Sequence, residues 1–157
     1  MALQTGQPAP GFTLFDTDKK EVSLSNYKGK NVLLLFFPMA FTSVCTAELC
    51  SVRDNIKMYE GFDAQPIGIS VDSLFTLAKY KQEQGLNFPL LSDFNKEVST
   101  AYGALYEQFG FGMRGVSKRA AFVINKEGII EYAEVLENAG LQPDFDRIKE
   151  TITRLKV

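Results

Sequence analysis

The stretch NVLLLFFPMAFTSVCTAELCSVRD, residues 31 to 54, decides the fold of this protein. Its first seven residues form a continuous apolar run, which predicts a central strand that is covered on both faces. Pro38 closes this strand, and residues 43 to 59 then carry apolar side chains at a helical spacing. A buried strand that leads at once into a helix indicates an α/β protein.

The rest of the chain continues the alternation of strands and helices. The periods and turn residues predict further elements at residues 12–18, 21–27, 64–71, 74–85, 88–93, 95–103, 119–125, 129–136 and 143–157. The first two form a hairpin, and the strands 119–125 and 129–136 form another near the C-terminus. We therefore predict a single α/β domain, residues 1 to 157, with a mixed central sheet, flanking helices and an N-terminal β-hairpin.

Charge and hydropathy exclude several classes of partner. The net charge is −2 over 157 residues, without the clusters of Lys and Arg that neutralise phosphates, so we predict no nucleic-acid partner. No apolar run approaches the roughly 18 residues that span a bilayer. The first ten residues, MALQTGQPAP, lack the basic and apolar regions of a secretory signal. We therefore predict a cytoplasmic protein with no membrane partner.

Cys45 and Cys50 are the only cysteines, and the chain has no histidine. Nucleophile systems that use an imidazole base are thereby excluded, and a zinc site would need more Cys and His ligands than the chain contains. We predict no metal and no cofactor. In a reducing compartment the two cysteines are poor candidates for a permanent disulfide, which leaves catalysis, redox sensing or burial.

Cys45 is predicted to lie where the buried strand ends and the helix begins. Open α/β sheets place their sites there, and the unpaired N–H groups and dipole of the helix stabilise an anion. We therefore expect Cys45 to be a thiolate at neutral pH. Thr42, three residues earlier, has two interpretations: its hydroxyl could bind a substrate oxygen, or it could cap the helix.

Cys50 lies five residues after Cys45 on the predicted helix. Residues at this spacing have Cα atoms about 8.7 Å apart on an intact helix, whereas a disulfide tolerates about 7 Å at most. The two cysteines therefore bridge only if the helix unwinds locally. This spacing suits a cycle in which Cys45 is oxidised to a sulfenic acid and Cys50 then condenses with it. The alternative is that Cys50 is a small buried apolar residue.

The segment PMAFTSVC, from Pro38 to Cys45, resembles the Pro-x-x-x-Thr-x-x-Cys signature of the peroxiredoxins. The segments GISVDS, LLSDFNKEV with AYG, and KRAAFVINKEG also resemble the sequences that follow in these thioredoxin-fold peroxidases. The resemblance implies a thioredoxin-like fold in which Cys45 is the peroxidatic cysteine. By the same resemblance Pro38 shields it, Thr42 holds the peroxide and Arg119 is the active-site arginine.

Arg119 and Glu48 each have a second interpretation. A guanidinium near Cys45 would favour the thiolate and bind the peroxide oxygens, but a lone arginine at a strand end is often exposed. Lys118 and Arg114 compete with it for the same place. Glu48 could orient the arginine, or it could only stabilise the first turn of the helix.

The resemblance extends to two branches of the family, which disagree about Cys50. The spacing of the cysteines is similar to that of bacterioferritin comigratory proteins, in which the second cysteine resolves the first. The surrounding sequence is similar to the alkyl hydroperoxide reductase E group, which often uses one cysteine and forms dimers. We predict a peroxidase with peroxide as substrate, a Cys45–Cys50 disulfide, a thiol reductant such as thioredoxin or glutaredoxin, and a homodimer as the candidate assembly. The alternatives are reduction by an external thiol without Cys50, or a non-enzymatic redox sensor.

Overall fold

The computed structural model describes residues 3 to 156, and within them seven strands form one mixed sheet. The strands are β1 (Thr13–Asp16), β2 (Glu21–Ser23), β3 (Asn31–Phe36), β4 (Ala64–Ser70), β5 (Leu90–Ser92), β6 (Arg119–Ile124) and β7 (Ile130–Leu136). The helices are α1 (Ser43–Asp54), α2 (Ile56–Gly61), α3 (Leu74–Gln84), α4 (Glu97–Ala101) and α5 (Phe145–Lys156). The predicted mixed sheet, flanking helices and N-terminal hairpin are confirmed.

The sheet has the order β2-β1-β5-β4-β3-β6-β7. β3 lies near its middle, parallel to β4 and antiparallel to β6. In the antiparallel register Phe36, at the end of β3, is opposite Ala120, the second residue of β6. Arg119, the first residue of β6, therefore lies at the edge of the sheet where β3 ends and where the chain turns toward α1.

β3 is buried along its whole length because both faces of the sheet are covered. Side chains alternate along a strand, so Leu33 and Leu35 pack with α1, α2, α3 and α5 on one face. Val32, Leu34 and Phe36 pack on the other face with α4 and the N-terminal segment. A continuous apolar run is therefore what this strand needs, in agreement with the sequence prediction.

The prediction of a single helix over residues 43 to 59 is wrong in one respect. The chain leaves the helical conformation at Asn55, with φ −110° and ψ 18°, so that α1 and α2 are separate helices. The Asn55 side chain donates a hydrogen bond to the Ser51 carbonyl at 2.8 Å. Asparagine side chains compete with the helical backbone for its hydrogen-bond partners, which makes them frequent at helix ends.

The second strand of the N-terminal hairpin is also shorter than the predicted segment 21–27. β2 ends at Ser23, and Leu24–Tyr27 form a 3-10 turn. The Asn26 side chain accepts a hydrogen bond from the Ser23 backbone N–H at 2.8 Å, which fixes the start of this turn. Across residues 3 to 156 none of the helices has the length and apolar character needed to cross a membrane.

Candidate active site

Cys45 is the third residue of α1 and is fully buried. The loop that leads to it from β3 is fixed to the end of β4. The Ala40 backbone N–H donates to Asp72 Oδ2 at 2.8 Å, and the Ser70 hydroxyl donates to the same oxygen at 2.7 Å. This attachment holds the first residue of the helix, Ser43, and with it Cys45, in a defined place at the sheet edge.

Arg119 contacts Cys45 directly. Its Nη2 lies 3.2 Å from Cys45 Sγ, and its Nη1 donates to Glu48 Oε1 at 2.7 Å. Nε and Nη2 also donate to the Ala139 carbonyl at 3.1 and 2.9 Å. The planar guanidinium is thus held from three sides, and its charge is fixed beside the sulfur.

Glu48 forms a buried ion pair with Arg119 one helical turn after Cys45. The carboxyl is completely buried, and its Oε2 has no hydrogen-bond partner among the described residues. Burial raises the pKa of Glu48 to about 7; the ion pair with Arg119 opposes this shift, and the Glu134 carboxylate adds to it. Burial therefore favours the neutral form of this carboxyl, whereas Arg119 favours the charged form.

The three basic candidates from the sequence have different surroundings. Arg119 is only 2% exposed, which excludes the interpretation of it as a surface arginine. Burial alone would lower the pKa of Arg119, but the Glu48 carboxylate and the Cys45 sulfur raise it above its ordinary value. Lys118 instead pairs with Glu137 at 2.7 Å, and Arg114 is exposed.

Thr42 occupies the N-cap position of α1, with an extended backbone. Its side chain makes no capping hydrogen bond, and its hydroxyl donates instead to the Met39 carbonyl at 2.9 Å. The hydroxyl keeps acceptor capacity for another partner, and the residue is exposed. Pro38 is buried two residues after the end of β3, in the loop that leads to Cys45.

Cys50 lies on the same uninterrupted helix as Cys45, and both are free thiols. It is partly buried, and its thiol donates to Gln84 Oε1 at 3.7 Å. Because α1 is intact across both residues, helix geometry separates their Cα atoms by about 8.7 Å. The two cysteines therefore have different environments: Cys45 accepts from a cation, and Cys50 donates to a neutral amide.

Three residues of this site were not predicted from the sequence. Ala139 acts through its backbone carbonyl, which no side-chain pattern could reveal. Asp72 follows a predicted strand and could have been found as a carboxylate at the carboxyl edge of the sheet. Gln84 near the end of α3 carries no signal at all. Among residues 3 to 156, no group of three or more potential ligands comes together in a way that would hold a metal ion.

The sequence of the chain is similar to known families and proteins. A model of the AhpC/TSA family matches residues 5 to 133. Alkyl hydroperoxide reductase E of Mycobacterium tuberculosis (strain ATCC 25618 / H37Rv) is 43% identical over 136 residues, which cover 85% of this chain and 86% of the relative. The chloroplastic 2-cysteine peroxiredoxin of Chattonella marina var. antiqua is 38% identical over 167 residues, with coverages of 99% and 82%.

Solved structures show the same similarity in three dimensions. The crystal structure of peroxidoxin BcpB from Mycobacterium tuberculosis superposes with a TM-score of 0.86 at 28% identity, covering 98% of each chain. The reduced 2-Cys peroxiredoxin of Plasmodium vivax gives a TM-score of 0.83 at 30% identity, covering 96% of this chain and 81% of the other. The predicted thioredoxin-like fold is confirmed.

Proposed function

The chain belongs to the AhpC/TSA family and is a peroxiredoxin-type peroxidase, and from this premise we propose that it reduces hydrogen peroxide and organic hydroperoxides at Cys45. The family model and the relatives confirm the family resemblance found in residues 38 to 45. The observation that carries the proposal is the 3.2 Å contact between Arg119 Nη2 and Cys45 Sγ in a buried environment. A fixed guanidinium at this distance can bind the negative charge that moves from the sulfur to the peroxide oxygens, and the attraction is stronger away from water.

The first step oxidises the sulfur. The Cys45 thiolate attacks one peroxide oxygen, the oxygen–oxygen bond breaks, and the leaving hydroxide or alkoxide takes a proton to become water or an alcohol. Cys45 becomes a sulfenic acid. Negative charge moves from sulfur to the leaving oxygen in this step, and the N–H donors of Arg119 are held where they can stabilise it.

The residues around Cys45 have supporting roles in this proposal. Thr42 orients the peroxide, since its hydroxyl donates to the Met39 carbonyl and so presents its lone pairs to a peroxide O–H. Pro38 restricts access of water to the sulfur from the strand side. Glu48 positions Arg119 through the 2.7 Å ion pair.

Cys50 resolves the sulfenic acid in the second step. The Cys50 thiol condenses with the sulfenic acid of Cys45, a disulfide forms and water leaves, so that Cys50 is oxidised while the sulfenic sulfur is reduced. Local unwinding of α1 must come first, because an intact helix keeps the Cα atoms about 8.7 Å apart. A dithiol reductant of the thioredoxin or glutaredoxin type then restores both thiols by disulfide exchange.

The second candidate is a one-cysteine peroxidase, in which an external thiol reduces the sulfenic acid directly. The intact α1 favours it, since nothing in the folded helix brings the sulfurs together. We place either reaction in the cytoplasm and in a single domain, residues 1 to 157. A homodimer is the assembly that we propose for it.

Intact mass spectrometry separates the two candidates. Fully reduced protein receives one equivalent of hydrogen peroxide and is measured under non-reducing conditions. Loss of two hydrogens is expected if Cys50 resolves Cys45, whereas addition of oxygen would indicate the one-cysteine reaction and a covalent dimer would indicate bridging between chains. Sustained peroxide consumption with thioredoxin or a small thiol is the expected sign of an enzyme. A single turnover followed by a stall with every reductant would contradict the peroxidase proposal and favour a redox sensor.

A further inference from the structure

The segment after β7 carries the carbonyl that holds the side edge of Arg119. β7 ends at Leu136, and Ala139 lies in the irregular segment that follows it. The Ala139 carbonyl accepts from Arg119 Nε at 3.1 Å and from Nη2 at 2.9 Å. Because a guanidinium is planar and carries its N–H donors in a rigid fork, one oxygen that accepts from two of its nitrogens fixes the direction of the other donors.

This carbonyl decides which way Nη2 faces. Nη2 carries two hydrogens, one for the 2.9 Å bond to Ala139 and one for the 3.2 Å contact with Cys45 Sγ. Without the carbonyl, the guanidinium is free to rotate about the bond from Nη1 to Glu48, which keeps the charge in place but turns Nη2 away from the sulfur. Glu48 therefore fixes the position of the charge, and Ala139 fixes its orientation.

Asn138 closes the turn that presents this carbonyl. Its Oδ1 accepts from the Gly140 backbone N–H at 2.9 Å, and its own carbonyl accepts from the Leu141 N–H at 3.2 Å. Gly140 suits the close approach of this side chain, because a Cβ there would lie 3.1 Å from Asn138 Oδ1. Asn138, Gly140 and Leu141 are exposed, so the shape of the turn depends on these hydrogen bonds more than on packing.

The other polar contacts of this segment fix its beginning. The Tyr106 hydroxyl lies within hydrogen-bond distance of the Leu136 and Glu137 carbonyls, at 3.2 and 3.0 Å. Lys118 pairs with Glu137, but the Glu137 side chain is 79% exposed, and ion pairs in water contribute little. These contacts end before the carbonyl that faces Arg119, so they do not set its direction.

Resting on the proposed reduction of peroxide at Cys45, we propose that Asn138 is a positioning residue for this reaction. By closing the turn, its side chain holds the Ala139 carbonyl in place, and the carbonyl holds the Arg119 guanidinium with Nη2 toward the sulfur. Asn138 acts through Arg119 and takes no part in the bonds that form or break.

The experiment measures the first oxidation in a single turnover. Reduced protein is mixed with one equivalent of hydrogen peroxide, quenched in acid at timed intervals and assayed for the remaining peroxide. Asn138→Ala removes the acceptor of the Gly140 N–H, whereas Asn138→Asp keeps an acceptor oxygen. Asn125→Ala is the matched control, because Asn125 closes the turn between β6 and β7, where its Oδ1 accepts from the N–H groups of Glu127 and Ile129 at 2.9 and 3.0 Å.

Asn138→Ala is expected to slow the first oxidation about fivefold, the change in rate that corresponds to one typical hydrogen bond. Asn138→Asp should restore the rate to within about twofold of the wild type, and Asn125→Ala should leave it unchanged although its turn is weakened as well. Arg119→Lys lacks the planar fork, so adding Asn138→Ala to it should slow the reaction by less than about twofold. Thermal unfolding measures the stability that each variant loses.

Three results would overturn the proposal: a wild-type rate in Asn138→Ala, equal slowing by Asn138→Ala and Asn125→Ala, or the full fivefold loss in the Arg119→Lys background. The last two would show that Asn138 acts only on general stability. A wild type that leaves the peroxide unconsumed would overturn the proposed function itself, and this inference with it.

Discussion

The two halves of α1 carry the same residue in opposite surroundings. In the first half, the sulfur of Cys45 is fully buried and accepts from the Arg119 guanidinium at 3.2 Å. In the second half, the thiol of Cys50 is partly exposed and donates to a neutral amide oxygen of Gln84 at 3.7 Å. The first sulfur therefore faces a cationic donor, and the second faces a neutral acceptor.

The difference shows how one short helix can give two chemically identical side chains different neighbours. The helix dipole adds to the difference. Cys45 lies in the first turn of α1, at the positive end of the dipole, and Cys50 lies toward the negative end. In the proposed mechanism, the neighbours on β6 and α3 decide which sulfur reacts first. Four predictions test this contrast.

Removal of the sulfur in the first half should have the largest effect. Cys45→Ser is expected to lower peroxidase activity by at least about a thousandfold, because the attacking nucleophile is lost. Cys50→Ser should leave the rate of the first oxidation unchanged within about twofold, since distant sites act independently. Peroxide consumption in a single turnover measures both. A Cys45→Ser variant that kept wild-type activity would reverse the assignment of the two halves.

Replacement of the cation beside Cys45 should have the next largest effect. Arg119→Lys keeps the charge but loses the planar fork that binds the sulfur, Glu48 and Ala139 together. The rate of the first oxidation should fall about 10- to 100-fold. Lys118→Met is the control, because Lys118 pairs with Glu137, and it should change the rate by less than about twofold. An Arg119→Lys variant with the wild-type rate would mean that a positive charge beside the sulfur is sufficient without the planar fork.

The buried carboxyl of Glu48 should give the protein an unusual pH dependence. Its folded pKa of about 7 lies above the ordinary value of 4.5, so the folded state binds the proton more tightly. The stabilisation of the folded state by this tighter proton binding is complete below pH 4.5, and it is lost as the pH rises through 7. Between pH 5 and pH 8 the free energy of unfolding should fall by about 1–3 kcal/mol, and Glu48→Gln should remove this slope.

Urea unfolding at several pH values in the Cys45→Ser background measures the effect of Glu48 without the reactive thiol. The absence of histidine from the chain keeps this pH window clear of the usual titrating group. A wild-type slope that survives in Glu48→Gln would show that another group is responsible.

The smallest effect is expected in the second half of α1. Gln84→Met preserves side-chain length but removes the acceptor of the Cys50 thiol. In the Cys45→Ser background, alkylation of Cys50 at pH 8 should become about two- to fivefold faster, because the thiol is released from its hydrogen bond to the amide oxygen. An unchanged alkylation rate would mean that the hydrogen bond to Gln84 does not restrain the Cys50 thiol.

The sequence predicted those parts of the molecule that depend on local pattern. The apolar run of β3, the hairpins and the amphipathic α5 follow from side-chain periods, and Pro38 and Cys45 lie where a strand meets a helix. The break at Asn55 was not predicted, because the apolar spacing continues across it while a side-chain amide ends the helix. Local pattern describes burial well and backbone competition poorly.

The contacts of the site depend on long-range pairing, which a single sequence does not show. Arg119, Lys118 and Arg114 could not be ranked until the register of β6 against β3 was known. The two interpretations of Glu48 likewise needed a distance to Arg119. The Ala139 carbonyl is invisible to any argument from side-chain type, yet it accepts two of the hydrogen bonds of Arg119.

The antiparallel pairing of β3 and β6 has a consequence for a chain that has not yet folded completely. Cys45 and Arg119 are 74 residues apart in sequence and meet only when the last strands of the sheet are in place. On the ribosome, or after thermal unfolding, Cys45 is an ordinary cysteine with no cation beside it. Rapid consumption of an oxidant by this sulfur is therefore expected to mark molecules whose folding is complete.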